Sequence, residues 1–164
     1  SYTKRFTHFT HLFLGLSLAL APLGAYISVT GHFSFLPIIL GVVVLFWTAG
    51  FDVLYSLQDH AFDVHAGLHS LPVMLGKEKA IWASRIFHLL ASILCLLFLF
   101  EFQIKYEIST LYLGLMAAVF IGAMIYQQNL VSANNLSKIN KAFFTVNGYA
   151  SILFCLFGII ALST

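Results

Sequence analysis

The sequence predicts an all-α fold, a polytopic transmembrane helical bundle of about five spans, and three observations carry that prediction. Sixty per cent of the 164 residues are hydrophobic, 9% are charged and the mean hydropathy is +0.95, whereas soluble domains average about 45–50% apolar and about 25% charged residues. So few charges cannot solvate a globular surface, so lipid must cover most of it. The apolar residues gather into five segments, each of about 20 residues, the length that crosses a hydrocarbon core about 30 Å thick. Finally, seven of the eight Lys and Arg residues precede the first segment or lie on or beside connections that share one side of such a bundle.

The first segment, 9–29, follows Lys4 and Arg5 and superficially imitates a signal peptide; its length and the spans after it favour a transmembrane helix. A short connection, 30–35, with Gly31, His32 and Ser34, leads to the second segment, 36–58. The connection 59–79 is long and polar and precedes the third segment, 80–100. Residues 101–107, with Glu101, Lys105 and Glu107, lead to the fourth, 108–128, and an Asn- and Ser-rich stretch, 129–141, leads to the fifth, 142–162. Gly15, Gly41, Gly114 and Gly122 lie inside spans, where small residues let helices approach closely. Cys95 and Cys155 sit in apolar runs without CxxC spacing and read as small core hydrophobes.

Lys4, Arg5, Lys77, Lys79, Arg85, Lys138 and Lys141 mark one side and Lys105 the other. The positive-inside rule then puts the N-terminus, the long connection and the last loop in the cytoplasm. The expectation is an integral protein of a bacterial inner (cytoplasmic) membrane with its chemistry on the cytoplasmic face. An odd number of spans, with an acidic face lacking a partner, further predicts that 1–164 forms a single transmembrane domain that is the C-terminal part of a larger one, its N-terminal helices lying before Ser1. A net charge of +2, without a basic patch, excludes a nucleic-acid partner.

Asp52, Asp59 and Asp63 fall at and just beyond the end of the second segment. At about 100° per residue, steps of seven and eleven return to within roughly 20° of the start, so the three carboxylates and nearby Tyr55 share a helix face. Like charges at a membrane boundary need a compensating cation or a polar cavity. Asp59 and Asp63, one turn apart, suit Mg²⁺, which takes one or two carboxylates together with water and phosphate oxygens. Two other readings stay open: a helix end wetted at the headgroups, and transition-metal binding through His60, Asp63, His65 and His69. Lys4 and Arg5 are candidate phosphate ligands. Asn147, stranded in an apolar span, needs a partner and is either a packing or a cavity residue. Tyr126, Gln127, Gln128, Asn129, Asn147 and Tyr149 are expected to form one polar cavity mouth. His8 and His11 read as ordinary headgroup-level residues, and His32 and His88 carry no role. No GxSxG, HExxH, Walker or GxGxxG element is present, so serine hydrolases, zincins, P-loop and dinucleotide enzymes lack support.

The pattern Asp52-x-x-Tyr55-x-x-x-Asp59-x-x-x-Asp63, followed by Gly67-x-x-Ser70, resembles the second aspartate-rich motif of the UbiA family of intramembrane aromatic prenyltransferases, in particular the 4-hydroxybenzoate polyprenyltransferases. Tyr2 to His8 before the first span, and Tyr126 to Leu130 leading to Lys141-Ala142-Phe143, add to the likeness. The resemblance covers the whole chain but only five of the nine spans expected in the family. It implies a polyprenyl diphosphate donor, an aromatic acid acceptor, Mg²⁺, and two aspartate-rich motifs facing each other across a cavity. Asp59 and Asp63 would be the catalytic Mg²⁺ and diphosphate ligands, with Lys4 near the diphosphate and Asp52 and Tyr55 lining the cavity; Arg5 and Asn147 complete the candidate substrate-binding set. The family's first motif is not in this sequence, so the chain alone is expected to be inactive. The run Gly67 to Pro72 resembles a subgroup serving an alternative menaquinone route, which makes a dihydroxynaphthoate-type acceptor the alternative to 4-hydroxybenzoate and ubiquinone biosynthesis. A transporter or cation-binding subunit is the non-enzymatic reading, disfavoured because transport sites sit near the bilayer midplane and these acids lie at a span's end.

Overall fold

The computed structural model describes residues 2–133 and 135–163. Five helical stretches are long and apolar enough to cross a membrane. They are α1 (Thr10–Thr30), α2 (Phe35–Ser56, continued by the short turns after it), α5 (Lys77–Tyr106), α6 (Thr110–Leu130) and α7 (Asn147–Ser163), the last entered through a π-helical turn, Lys141–Val146. The fold class is all-α, as the composition predicts.

Two boundaries differ from expectation for physical reasons. α5 is 30 residues long, because its charged ends, with Lys77, Glu78 and Lys79 at one and Glu101 and Lys105 at the other, carry the helix past the apolar segment into the polar headgroup zone. The long connection is not a loop. It holds a 3₁₀ turn at Leu57–Asp59, then α3 (His60–His65) and α4 (Leu71–Leu75). Ser70 starts α4 by accepting a 3.4 Å hydrogen bond from the Val73 N–H, a standard serine cap. Gly67 (φ 63°) and Gly76 (φ 78°) make the bends on either side of α4, in a region that disfavours a side chain.

α2 is the hub, packed against both α1 and α5. The α1–α2 crossing is set by small residues: a Cβ added at Gly15 would lie 2.4 Å from the Leu45 carbonyl oxygen, and one at Gly41 would lie 2.9 Å from the Ala19 carbonyl oxygen. α1 buries only Thr10, His11, Gly15 and Ala19, a stripe at helical spacing, and leaves Leu16, Leu18 and Leu20 exposed. Gly114 and Gly122, by contrast, face open space, so the expected close approach occurs at only the first two of the four glycines. Leu36, Ile39 and Val43 of α2 meet Cys95 and Phe98 of α5 and Met116 and Phe120 of α6 in the main core. A second cluster, Val53, Leu54 and Leu57 with Leu71, Ala80, Ile81 and Ile139, fixes the end of α2 from below. Cys95 is buried as expected, but Cys155 is exposed on α7.

Candidate active site

The last turns of α2 carry Asp52 and Tyr55 to the end of the bundle. The helix then tightens into the 3₁₀ turn, which advances about 120° per residue instead of about 100°. This twist breaks the single regular stripe that α-helical spacing predicts and gives neighbouring carboxylates different environments. The Asp63 side chain is turned inward, 2% exposed, while that of Asp59 is 49% exposed.

One ammonium joins them. Lys4, on a short 3₁₀ turn (Tyr2–Arg5) before α1, donates from Nζ to Asp63 Oδ2 at 2.8 Å and lies 3.9 Å from Asp59 Oδ2. A cavity of about 200 Å³ opens beside them, lined by Lys4, Thr10, Asp52, Tyr55 and Asp59. The Tyr55 ring packs on Phe143 with centroids 4.2 Å apart and meets Phe144 edge-on at 6.1 Å, so the π-helical turn before α7 buttresses the aromatic side chain that lines the acidic pocket. One to two turns deeper, a second, apolar cavity of about 440 Å³ is bounded by Trp47, Thr48, Phe51, Phe143 and Asn147.

The candidate residues are not all gathered. Arg5 is exposed and sits 5.5 Å over the Tyr2 ring, away from the cavity lining. Asn147 borders the deeper cavity, and its Oδ1 accepts a hydrogen bond from Gln127 Nε2, which also donates to the Ala142 carbonyl at 2.9 Å. Asn147 is thus both a packing and a cavity residue. The expected single polar mouth is split: Gln128, about 100° around α6 from Gln127, donates instead to Ser84 Oγ at 2.8 Å and His88 Nδ1 at 2.9 Å, and Ser84 donates to the Gly50 carbonyl. Tyr126 and Tyr149 line a third, separate groove with Lys141.

His11, which the sequence suggests is an ordinary headgroup-level residue, is instead packed inside the bundle. Its ring is fully buried, with Nδ1 2.7 Å from Asp52 Oδ2 and Nε2 accepting from the Leu71 N–H at 3.4 Å. The available signal was the small-residue seam of α1: His11 precedes Gly15 and Ala19 at intervals of four, on the face that must meet α2.

The donors fit part of a site for a hard cation. Asp59 and Asp63 point carboxylate oxygens at one place within 4 Å, where the Lys4 ammonium shows that positive charge is accommodated, and oxygen donors suit Mg²⁺. Among the described residues no three His, Cys, Asp or Glu side chains gather to hold a metal. The transition-metal reading fails on this geometry: the His69 ring packs against His8 at 4.6 Å, its Nδ1 faces the Lys4 carbonyl, and His65 is exposed.

The profile of the UbiA prenyltransferase family matches residues 1–149. The chain belongs to this family. It is 26% identical over 154 residues to the 4-hydroxybenzoate octaprenyltransferase of Vibrio vulnificus, covering 93% of this chain and 51% of that protein. It is 29% identical to the protein of that name from Marinobacter nauticus, covering 93% of this chain and 50% of the relative. The solved apo structure of a UbiA homologue from Aeropyrum pernix K1 superposes with a TM-score of 0.79 at 25% identity, over 97% of this chain and 57% of that one. The chain therefore spans about half the length of the curated relatives it matches.

Proposed function

We propose that this chain carries one jaw of the diphosphate site of a Mg²⁺-dependent intramembrane prenyltransferase that joins a polyprenyl group to a hydroxylated aromatic acid. The observation that supports it best is the convergence of Asp59 and Asp63 on the Lys4 ammonium, beside a cavity that also exposes Asp52 and Tyr55. In this reading Asp59 and Asp63 hold Mg²⁺, which when bound neutralises charge on the diphosphate leaving group. Lys4 takes a diphosphate oxygen, Asp52 and Tyr55 line the pocket, and the deeper apolar cavity beside Trp47, Phe51 and Asn147 receives the prenyl chain. Arg5, exposed at the rim, contributes long-range attraction rather than a direct ligand.

Residues 1–164 act in this proposal as the C-terminal part of a larger transmembrane domain, whose preceding helices supply the opposing acidic motif, so the segment alone is inactive. The relatives' names favour 4-hydroxybenzoate as acceptor and ubiquinone biosynthesis as context; the Gly67–Pro72 run favours a dihydroxynaphthoate-type acceptor for menaquinone. The charge distribution supports a site on the cytoplasmic face, and the bacterial sources of the relatives favour a bacterial inner membrane. The test is Mg²⁺-dependent diphosphate release from a polyprenyl diphosphate by the full-length protein in membranes, with each acceptor supplied separately. Asp59→Ala/Asp63→Ala is expected to reduce the rate at least about a hundredfold; an unchanged rate would falsify the assignment, and the faster acceptor identifies the pathway.

A further inference from the structure

Asp52 lies in the pocket lining, yet one of its oxygens is already engaged. His11 Nδ1 approaches Asp52 Oδ2 at 2.7 Å, and the same ring's Nε2 is the acceptor for the Leu71 N–H at 3.4 Å. The second contact sets the tautomer: a nitrogen that accepts from a backbone N–H carries no proton, so the proton sits on Nδ1 and is donated to the carboxylate. The ring is 0% exposed, so both of its nitrogens are shielded from solvent, while Asp52 keeps 20% of its side chain open to the pocket. A fixed donor in a dry place is an effective orienter of a carboxylate.

Its place in the fold is equally informative. His11 stands on the buried stripe of α1 whose next members, Gly15 and Ala19, lock α1 against α2. Leu71 begins α4, directly after buried Ser70. The segment 66–71 is tied to the N-terminal turn a second time, because the His69 N–H donates to the Lys4 carbonyl at 2.6 Å and the His69 and His8 rings meet edge-on. Lys4 and Asp52, both pocket-lining, are thus held to the same connecting segment, Lys4 through its backbone and Asp52 through an imidazole.

We infer that His11 is a positioning residue: a neutral imidazole that ties the start of α4 to Asp52 and fixes the direction in which that carboxylate faces the pocket. This inference rests on the proposed prenyl-transfer reading only for its catalytic consequence. The bridge itself is a separate claim with its own readout.

The experiment uses the full-length protein and five forms: wild type, His11→Ala, His11→Gln, Asp52→Ala and the His11→Ala/Asp52→Ala double variant. Glutamine can donate to Asp52 and accept from the Leu71 N–H, so it should keep the bridge. Hydrogen–deuterium exchange over residues 66–75 is expected to quicken in both His11→Ala and Asp52→Ala and to stay near wild type in His11→Gln. Exchange unchanged in either alanine variant overturns the bridge, whether or not the protein transfers prenyl groups. In turnover assays kcat is expected to fall about tenfold in His11→Ala with KM for the diphosphate little changed, and to recover in His11→Gln. The double variant should be no slower than Asp52→Ala alone, because His11 acts through Asp52. Multiplying losses, or a glutamine variant as slow as the alanine one, would overturn the positioning role. A wild type that releases no diphosphate, with the exchange pattern as expected, would overturn the prenyl-transfer reading and leave the bridge standing.

Discussion

Asp59 and Asp63 belong to one sequence pattern, but the fold treats them unequally. Asp63 is almost fully enclosed and has Lys4 as its ion-pair partner, whereas Asp59 is half exposed and 3.9 Å from the same ammonium. Removing the lysine leaves a buried carboxylate uncompensated, which in enclosed pairs costs about 3–5 kcal/mol; partial exposure of Lys4 reduces this to about 2 kcal/mol. Lys4→Met should therefore lower the thermal midpoint in detergent. Adding Asp63→Asn to it should restore much of the loss, since the amide carries no charge, and millimolar Mg²⁺ should raise the midpoint of Lys4→Met more than that of wild type. Additive losses from the two substitutions would show that the pair is not coupled. The acids and Lys4 were legible in the sequence because charges are rare enough there to stand out. His11 was not, since its type suits a membrane interface and only the partners brought by α2 and α4 reveal its use. Asn147 stood out as an amide in an apolar span that needs a partner, but that the partner is Gln127 was not legible, since their bond crosses between helices.

At the scale of elements, the α1–α2 contact depends on the absence of side chains. A methyl at Gly15 would meet a main-chain carbonyl at 2.4 Å, and a backbone cannot step aside as a flexible side chain can. Gly15→Ala should force the helices apart and destabilise by about 1–3 kcal/mol, loosening the stripe that continues to His11. Gly114→Ala is the matched control: the site is open and alanine is the better helix former, so it should be neutral or stabilise by up to about 1 kcal/mol. Thermal midpoints of the two variants in one detergent decide the matter, and equal midpoints would refute the packing account. The sequence places glycines in spans without saying which face a neighbour. Hydropathy averaged over about 20 residues exposes the five spans clearly, but hides α3 and α4, which are short and sit in a polar connection. They form because Ser70 caps α4 and because Leu57 and Leu71 join the cluster beneath α2, and neither effect has a periodic signature.

Across the whole molecule, charge and apolar surface divide the bundle into zones. Large hydrophobic side chains stay exposed along α1, α5, α6 and α7, among them Leu20, Leu89, Leu96, Ile125 and Ile159, as lipid-facing surfaces require. The ends that carry Lys4, Lys77 and Lys141 are the ends that carry Asp59 and Asp63, while Lys105 lies at the opposite end of α5. Charge bias of this kind orients a membrane protein with its basic ends inward, so the acidic pocket should open to the cytoplasm. Single cysteines placed in a full-length background lacking Cys155 test this with a membrane-impermeant maleimide. Ser109→Cys sits on the short turn between α5 and α6 and Ala66→Cys on the segment before α4; both positions are exposed. In intact spheroplasts the Ser109→Cys thiol should be labelled and the Ala66→Cys thiol protected, with labelling of the latter appearing only once the membrane is permeabilised. The reverse pattern would put the acids on the outer face. Lys4 and Arg5 would then be on the wrong side of the membrane to be retention charges, leaving the Lys4 ion pair with Asp63 as the main physical reason for a cation at that position.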